Sequence, residues 1–569
     1  MAINGTFAQS MSTEKLGPMS DLGRAAWDYV SASRYPRLIG MVLLWFWALS
    51  FFQPKRPGIA NAPVHGSRGF WEPDFFLKTR FIYDAYRIIG SGFDRVIRYL
   101  LDSISGLGLN PERLLADADF AIQYKDRPFI LRRHDADINV LPMKYLDELR
   151  LVPREELNGK MNIFRSWPWA SVISDSDLHV TVLTRKLNPD LPRYVELARE
   201  ELDYGWDKDV PQPDDWAVVD IQGVMRQLVA RMSAKVFLGE PVCRDPTWLD
   251  LTINFSVDIF MASFALRAFP WWCHFLVKPL IPARRRVHKQ IRIGTEVVRS
   301  LMAERDADAD EVVTGDGRGS GKGGTLFDWM MENAVGKEGS LGEMAARQCI
   351  LTLASIHTTA TTVANALFDL IAHPEWIDVL REEIRETTEN YGDLGQNDST
   401  KAWLNRLEKM DSFIVESQRV HPPILLTPQR IAMVPITLKD GTHIPVGTRV
   451  AWAGPQHSLH PSITPHPATF DPLRNYRKRH ASEENRKRFM AGQTDPDNMS
   501  FGYGNQICPG RYFAVFEIKM MLMRLLEAFD FAAPPGKGKG WPRTIYADEN
   551  VILDPYAKVM MRKRQGVTG

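Results

Sequence analysis

The sequence of 569 residues predicts a mainly α-helical protein with small β-sheets. Segments with helical periodicity are long and recur along most of the chain, whereas strand-like segments are short and cluster near 436–450 and 541–559. Strands and helices do not alternate regularly, which argues against a parallel α/β sheet. The predicted helical segments lie at 193–202, 218–237, 341–371, 374–390 and 509–529.

Composition excludes several classes of protein. The 70 basic and 69 acidic side chains leave a net charge of +1, unlike the basic domains that bind nucleic acids. Hydrophobic residues make up 44% of the chain and charged residues 24%, so most of the chain is not intrinsically disordered. Length alone suggests roughly two to four domains, although one large enzyme domain is compatible with it. Four cysteines are too few for a disulfide scaffold.

An uncharged apolar run at 38–52 predicts a membrane anchor near the N-terminus. As a helix it would measure about 22 Å, less than the roughly 30 Å of a bilayer core, but its tryptophans and flanking cations are typical of a membrane interface. A cleaved signal peptide fits less well because 37 residues precede the run, and a buried helix is the other alternative. The predicted segments are an N-terminal extension at 1–37, an anchor helix at 38–53, a Pro-rich hinge at 54–66 and the globular body at 67–569.

Residues 305–324 form a low-complexity segment rich in Asp and Gly. The segment partly matches two ligand-binding motifs but lacks a required residue of each. Glu311 stands where a calcium loop of the EF-hand type needs glycine, and Gly323 replaces the Ser or Thr of a phosphate loop. A flexible surface loop is therefore the better interpretation.

Cys508 lies in the most informative segment, 500–511, whose sequence is SFGYGNQICPGR. A strongly helical run follows, so the thiol lies where the positive end of a helix and free backbone N–H groups stabilise a thiolate. Glycines at 502, 504 and 510 allow the backbone to approach a flat, bulky group, against which Phe501 could pack. These features alone are equally compatible with a metal-thiolate loop and with an inert buried cysteine.

The spacing FxxGxxxCxG, formed by Phe501, Gly504, Cys508 and Gly510, resembles the haem-binding signature of the cytochrome P450 family. The resemblance extends from the apolar run to the C-terminus. It implies the cytochrome P450 fold, with a single large catalytic domain behind the N-terminal membrane anchor. It also implies a haem (iron protoporphyrin IX) whose iron is bound by the Cys508 thiolate, with Phe501, Gly504 and Gly510 as cofactor-binding residues.

Two charged motifs stand in the order that the family has. Glu416 and Arg419 resemble the ExxR motif, and their i, i+3 spacing lets them pair on one helical face. The resemblance implies that Arg474, in the segment FDPLR, completes this structural charge network behind the haem, and that Arg430 binds a haem propionate. Position 506, where the family usually carries Arg or His as a propionate partner, is Gln506.

A third motif lies inside the predicted helix at 341–371. Its segment ASIHTT, residues 354–359, resembles the oxygen-activating segment of the family's distal helix. Thr358 aligns with the threonine that helps to deliver protons to dioxygen, and His357 stands where most members carry Asp or Glu. The resemblance therefore implies Thr358 and His357 as catalytic residues, since histidine can also transfer protons.

The implied activity is that of a haem-thiolate monooxygenase that hydroxylates, epoxidises or oxidatively couples a lipophilic natural-product intermediate. NADPH–cytochrome P450 reductase is implied as the electron donor, because the chain carries no complete flavin or nicotinamide motif. The motifs and the anchor are most similar to fungal P450s of secondary metabolism, which implies a protein of the endoplasmic reticulum membrane whose catalytic domain faces the cytosol. Two alternatives stay open: an isomerase or dehydratase of the same fold that needs no external electrons, and a non-catalytic haem-binding protein.

Two further expectations concern partners. Basic clusters at 477–479 and 486–488 could dock an acidic flavoprotein, or they are solvated loops. The substrate pocket is expected to be apolar. The side chains expected to face it are Ile350, Leu353, Ala354, Leu425 and Leu426, together with residues near Trp541.

Overall fold

A computed structural model describes residues 56–67, 72, 74–91, 126–159, 176–267, 269, 274–314, 324–537 and 542–565. The predicted N-terminal extension at 1–37 and anchor at 38–53 lie outside the described residues, as do Cys273 and Trp541. The chain divides into two compact units, residues 1–55 with 73–76 and residues 56–72 with 77–569. The site described below belongs entirely to the second unit.

Helices dominate the described residues, so the prediction of a mainly helical protein is confirmed. Several predicted segments coincide with observed helices to within a few residues. The helices are α1 (Asp74–Ser91), α2 (Leu146–Leu149), α3 (Leu178–Val182), α4 (Leu191–Asp209), α5 (Ile221–Phe237), α6 (Pro246–Arg267), α7 (His274–Val277), α8 (Pro282–Thr314), α9 (Leu326–Asn333), α10 (Leu341–Ala372), α11 (Glu375–Tyr391), α12 (Thr400–Leu404), α13 (Glu408–Val420), α14 (Gly454–Ser458), α15 (Arg474–His480) and α16 (Arg511–Ala528).

The strands of the described residues form small sheets, as expected. They are β1 (Phe129–Arg132), β2 (Asp137–Val140), β3 (Leu157–Asn158), β4 (Ala217–Val219), β5 (Gln429–Ala432), β6 (Ile436–Thr437), β7 (His443–Ile444), β8 (Arg449–Ala451), β9 (Phe529–Ala532), β10 (Thr544–Ala547), β11 (Asn550–Leu553) and β12 (Val559–Lys563). The largest sheet has the order β1-β2-β8-β5-β3, in which β2 and β8 are parallel. The smaller sheets are β4-β12-β9, β10-β11 and β6-β7. The five-stranded sheet carries Arg430 on β5, opposite Val450 on β8.

The core is organised around α10. This helix begins after Ser340, carries Glu343 in its first turn, where a negative charge is favourable, and ends at Ala372, shortly before Pro374. It packs against α5, α6, α8, α13 and α16. Both α10 and α16 contribute to the largest hydrophobic cluster. Since α10 contains Thr358 and α16 begins at Arg511, shortly after Cys508, the core brings together the helices that carry and follow the two motifs.

Two segments differ from the sequence-based expectation. Residues 56–66, expected as a hinge, pair with the sheet: the Ile130 N–H donates to the Pro63 carbonyl at 2.8 Å, and the His65 N–H donates to the Ile130 carbonyl at 2.8 Å. Extended backbone has free donors and acceptors that an edge strand such as β1 can satisfy. Residues 305–314, expected as a loop, continue α8, because the helix-breaking glycines begin only after them.

Candidate active site

Cys508 lies in the turn that leads into α16. Gly510 is the N-cap residue of this helix, and the backbone N–H groups of Gly510 and Arg511 donate to the Cys508 thiol. The Cys508 N–H donates to the Phe501 carbonyl at 2.8 Å, which closes the loop on itself. Phe501 packs against the main hydrophobic cluster. The sulfur is therefore held at a helix N-terminus, where a thiolate is stabilised.

Opposing effects act on the pKa of the Cys508 thiol. Burial raises it and outweighs the Gly510 and Arg511 N–H donors and the charge of Arg511, which lower it. The free thiol is therefore protonated at neutral pH. A metal ion at the sulfur would reverse this, since a coordinating thiol is deprotonated outright. The other described cysteines, Cys243 and Cys349, are buried, and burial raises the pKa of each to about 12, which makes them inert.

The glycines of the loop serve different purposes. Gly502 and Gly504 have φ angles of +75° and +69°, which favour glycine. A Cβ at Gly504 would lie 2.2 Å from the Arg150 carbonyl oxygen, so this glycine allows the loop to contact another backbone segment. By contrast, a Cβ at Gly510 would meet no atom within 4 Å. Gly510 is thus the glycine beside open space, where a bulky group can approach.

One side of α10 is open. Ala354 and Thr358, one turn apart, are exposed, although much of the helix is buried. The Thr358 hydroxyl donates to the Ala354 carbonyl at 2.7 Å, and the Thr362 hydroxyl donates to the Thr358 carbonyl at 2.9 Å. Such bonds can bend a helix, yet α10 is continuous along its whole length. Thr358 therefore presents its hydroxyl at the open side of a helix that packs against α16.

His357 has different surroundings from Thr358. Its Nε2 lies 2.7 Å from the carbonyl oxygen of Ile253 on α6. Burial lowers the pKa of His357, as does the charge of Arg226, whereas the hydrogen bond to Ile253 raises it; the net pKa is below the ordinary value. The two residues expected to act in catalysis are thus adjacent in sequence but make different contacts.

The structure brings Glu416, Arg419 and Arg474 together. The Glu416 carboxylate accepts hydrogen bonds from Arg419 Nε at 2.9 Å and from Arg419 Nη2 at 2.7 Å. Arg474 Nε lies 3.5 Å from the same carboxylate, and the Asp471 N–H donates to it at 3.0 Å. Arg419 also donates to the Pro467 carbonyl at 2.9 Å. All three predicted side chains are well shielded, with Glu416 only 3% exposed.

Arg430 is completely buried and contacts carbonyl groups. Its Nη1 donates to the Leu149 carbonyl at 2.5 Å, and its Nη2 donates to the Tyr503 carbonyl at 3.2 Å, so it joins β5 to the cysteine loop. Burial lowers its pKa to about 10. Gln506 donates from its Nε2 to the Leu157 carbonyl at 3.5 Å. Both side chains therefore hold backbone groups around the loop.

Sequence reasoning missed two side chains that fix the cysteine loop. Arg511 donates from Nη1 to the Cys508 carbonyl at 3.0 Å and from Nε to the Gly492 carbonyl at 2.9 Å. Asn188 donates to the Pro509 carbonyl at 3.0 Å. Arg511 could have been found as a cation beside the thiolate candidate. Asn188 lies 321 residues away in sequence, and no local pattern indicates it.

The expected substrate-facing residues separate into two groups. Ala354 is exposed on the open side of α10, as expected. Leu353 instead packs into a cluster formed with α6 and α8, and Leu425 and Leu426 are fully buried in a separate core cluster. The pocket-facing role of these three leucines stays a prediction, because burial and apolar character are shared by core residues and pocket residues.

The site fits the haem that the motifs imply. A cysteine sulfur at a helix N-terminus is a suitable ligand for haem iron, and the space beside Gly510 can admit a bulky group. Arg430 forms no ion pair with any carboxylate of the described residues, and its buried Nε has no hydrogen-bond partner there. A buried cation without a negative partner lowers the stability of the folded protein. A haem propionate would supply that charge.

Comparisons with known proteins agree with this geometry. The family model described as Cytochrome P450 matches residues 178–548. The cytochrome P450 monooxygenase ATR4 of Stachybotrys chlorohalonatus is 42% identical over 535 residues, which cover 92% of this chain and 95% of that protein. Ent-kaurene oxidase P450-4 of Gibberella fujikuroi is 35% identical over 514 residues, which cover 89% of this chain and 93% of that protein.

The fold is also found among solved structures. Retinoic acid-bound cyanobacterial CYP120A1 matches with a TM-score of 0.57 at 16% identity, covering 82% of this chain and 96% of that chain. The sequence similarity to fungal monooxygenases extends far beyond the motif segments. The chain therefore belongs to the cytochrome P450 family, whose members are haem-thiolate oxidoreductases.

Proposed function

We propose that this P450 monooxygenase oxidises a lipophilic natural-product intermediate, with Cys508 as the proximal ligand of the haem iron. The reaction is a hydroxylation, an epoxidation or an oxidative coupling, and it uses dioxygen and electrons from NADPH that a reductase delivers. The observation that supports the proposal most is the Cys508 thiol, held by two helix N–H groups next to the open space at Gly510.

The residues of the chain have separate roles in this proposal. When bound, the haem supplies the activation of dioxygen and the transfer of one oxygen atom. Cys508 holds the iron, and the N–H groups beside it stabilise its thiolate. The Thr358 hydroxyl, which donates to Ala354 at 2.7 Å, holds a proton at the open side of α10. Arg430 offers a buried positive charge to a propionate, and Glu416 neutralises the cations behind the site.

The substrate is proposed to be apolar. Ala354, one turn before Thr358, presents only a methyl group at the open side of α10, and Ile350, one further turn back, is a buried apolar side chain. Relatives named ent-kaurene oxidase act on ent-kaurene, at 35% identity to this chain. This similarity supports a lipophilic substrate class, while terpenoid, polyketide and indole-alkaloid scaffolds all remain candidates.

NADPH–cytochrome P450 reductase is the proposed electron donor. Of the basic clusters at 477–479 and 486–488, the first lies in α15, the helix that begins at Arg474. Arg479 pairs with Glu408 at 3.0 Å, whereas Lys478 is exposed. A basic surface whose charges are only partly neutralised can bind an acidic flavoprotein by charge complementarity. The alternative for either cluster is a solvated loop without a partner protein.

The protein is proposed to be attached to the endoplasmic reticulum membrane by a single anchor at 38–53, with its catalytic domain in the cytosol. Phe275 and Leu280 support membrane contact from the described part of the chain, since each is 71% exposed. Among the described helices, α6 is the one long and apolar enough to cross a membrane. It packs against α8 and α10, as a core helix does.

Turnover in the presence and absence of each co-substrate tests the proposed function. The full-length chain, expressed with a reductase in a host that makes candidate scaffolds, should form a product one oxygen heavier or two hydrogens lighter, detected by mass spectrometry. Product formation must require both NADPH and dioxygen. Product formed without either would favour an isomerase or dehydratase. Purified protein whose haem spectrum ignores a broad panel of lipophilic ligands would favour a non-catalytic haem-binding protein.

A further inference from the structure

Two adjacent stripes of α10 have different environments. Residues four apart lie on the same face of a helix. Cys349 and Leu353 lie on one stripe and belong to a hydrophobic cluster with Phe255 of α6, and His357 is the next residue on that stripe. The neighbouring stripe, one position further along the chain, contains Ala354 and Thr358 and faces open space. Consecutive residues are about 100° apart around the helix, so one stripe can pack while the other stays open.

The hydrogen bond of His357 extends the packed stripe. Its Nε2 lies 2.7 Å from the Ile253 carbonyl oxygen on α6. A carbonyl oxygen only accepts hydrogen bonds, so Nε2 must carry the hydrogen. Burial lowers the pKa of the ring, which is consistent with a neutral imidazole at neutral pH. The hydrogen on Nε2 is therefore donated to the Ile253 carbonyl on α6.

We propose that His357 is a positioning residue whose Nε2–H holds α10 against α6 and so fixes where the open stripe presents the Thr358 hydroxyl. This inference rests on the proposed function for its effect on the reaction, but the contact itself does not depend on it. A residue that carries protons to Thr358 must titrate, whereas a residue that holds two helices must donate a hydrogen bond. The two roles therefore make opposite demands on a substitute.

A pair of substitutions separates the two roles. His357→Gln keeps an N–H donor of similar reach and cannot titrate, whereas His357→Asp restores the residue type common in the family and, when ionised, cannot donate to a carbonyl. His443→Gln, at an exposed position on β7, is the matched control. All variants are prepared as full-length holoprotein, and the carbon monoxide spectrum of each reports whether the haem is bound.

Amide hydrogen exchange in α6 is the readout that does not depend on activity. With His357→Asp, peptides from Pro246–Arg267 should exchange roughly fivefold faster, the factor that the loss of about 1 kcal/mol gives. With His357→Gln and with His443→Gln, exchange should match the unsubstituted protein. Peptides from α11, which does not contain this stripe, should be unchanged in all variants.

Uncoupled turnover is the second readout. With reductase and NADPH and no added substrate, hydrogen peroxide released per NADPH should rise with His357→Asp and not with His357→Gln. The opposite order, in which Asp behaves like the unsubstituted protein and Gln does not, would overturn the proposal in favour of proton transfer. Equal exchange in α6 for all variants would also overturn it. Failure of the unsubstituted protein to oxidise NADPH would count against the proposed function alone, since the exchange experiment would still decide the role of His357.

Discussion

Substitution of Glu416 by Ala should destabilise the holoprotein strongly. The carboxylate of Glu416 is 3% exposed and accepts two hydrogen bonds from Arg419, at 2.7 and 2.9 Å. It also accepts the Asp471 N–H at 3.0 Å and lies 3.5 Å from Arg474. Removing it leaves two shielded guanidinium groups without this negative partner.

The size of the effect follows from these contacts. Hydrogen bonds to charged groups contribute about 1.5–3 kcal/mol each. The sum over the three bonds is an upper limit for the loss of unfolding free energy, because such contributions do not add fully. Arg419 keeps its bond to the Pro467 carbonyl, which compensates for part of the loss. Breaking a buried ion pair by removing one partner costs about 3–5 kcal/mol, and we expect Glu416→Ala to fall in that range. Glu416→Gln, which keeps one acceptor oxygen, should cost less.

Urea unfolding of the holoprotein, followed by far-ultraviolet circular dichroism and haem absorbance, measures the loss. Glu382→Ala is the matched control, because Glu382 pairs with Arg385 at the same i, i+3 spacing but on an exposed face of α11. Exposed pairs are weakened by solvent, so this control should change the midpoint little. A loss for Glu416→Ala below about 1 kcal/mol, or one no larger than the control's, would refute the reasoning from burial.

Three other outcomes are expected. Thr358→Ala removes the hydroxyl at the open side of α10, so product per NADPH should fall at least about tenfold while haem content is unchanged; unchanged coupling would contradict this. Burial lowers the pKa of His421, but Asp369 at 2.8 Å raises it, and the net pKa is above the ordinary value. The pair therefore stabilises the fold fully below about pH 6.5, and this stabilisation is lost as the pH rises through the raised pKa. In His421→Gln, the urea-unfolding midpoint should no longer show this dependence on pH. Burial raises the pKa of Asp548 to about 6, so the folded state binds this proton more tightly and stability should increase as the pH falls from about 6 to 4; Asp548→Asn should lack this increase, and an unaltered slope would contradict the assignment.

The motifs that could be predicted from sequence are those whose chemistry is local. The spacing of Glu416 and Arg419 requires only one helix, and both side chains meet as expected. The turn before α16 places the Cys508 sulfur at helix N–H groups, which the sequence of glycines and the helical run already indicated. Residues of this kind depend on contacts within a few positions of each other.

What the sequence did not indicate depends on distant contacts. The partner of His357 is the Ile253 carbonyl, 104 residues away. Every residue has a backbone carbonyl, so no sequence motif can indicate this contact. A Cβ at Gly504 would clash with the Arg150 carbonyl, a contact that no local pattern indicates. Leu425 and Leu426 are apolar, as residues of a lipophilic pocket are, and only the tertiary structure shows that both are completely buried.

The reduced carbon monoxide spectrum of the holoprotein tests the central claim most directly. The unsubstituted protein should give the spectrum of a thiolate-bound haem, and Cys508→Ala should lose it. Cys243→Ala, at a buried cysteine outside the site, should retain it at equal haem content. A Cys508→Ala protein that kept the thiolate spectrum would contradict the assignment of Cys508 as the haem ligand.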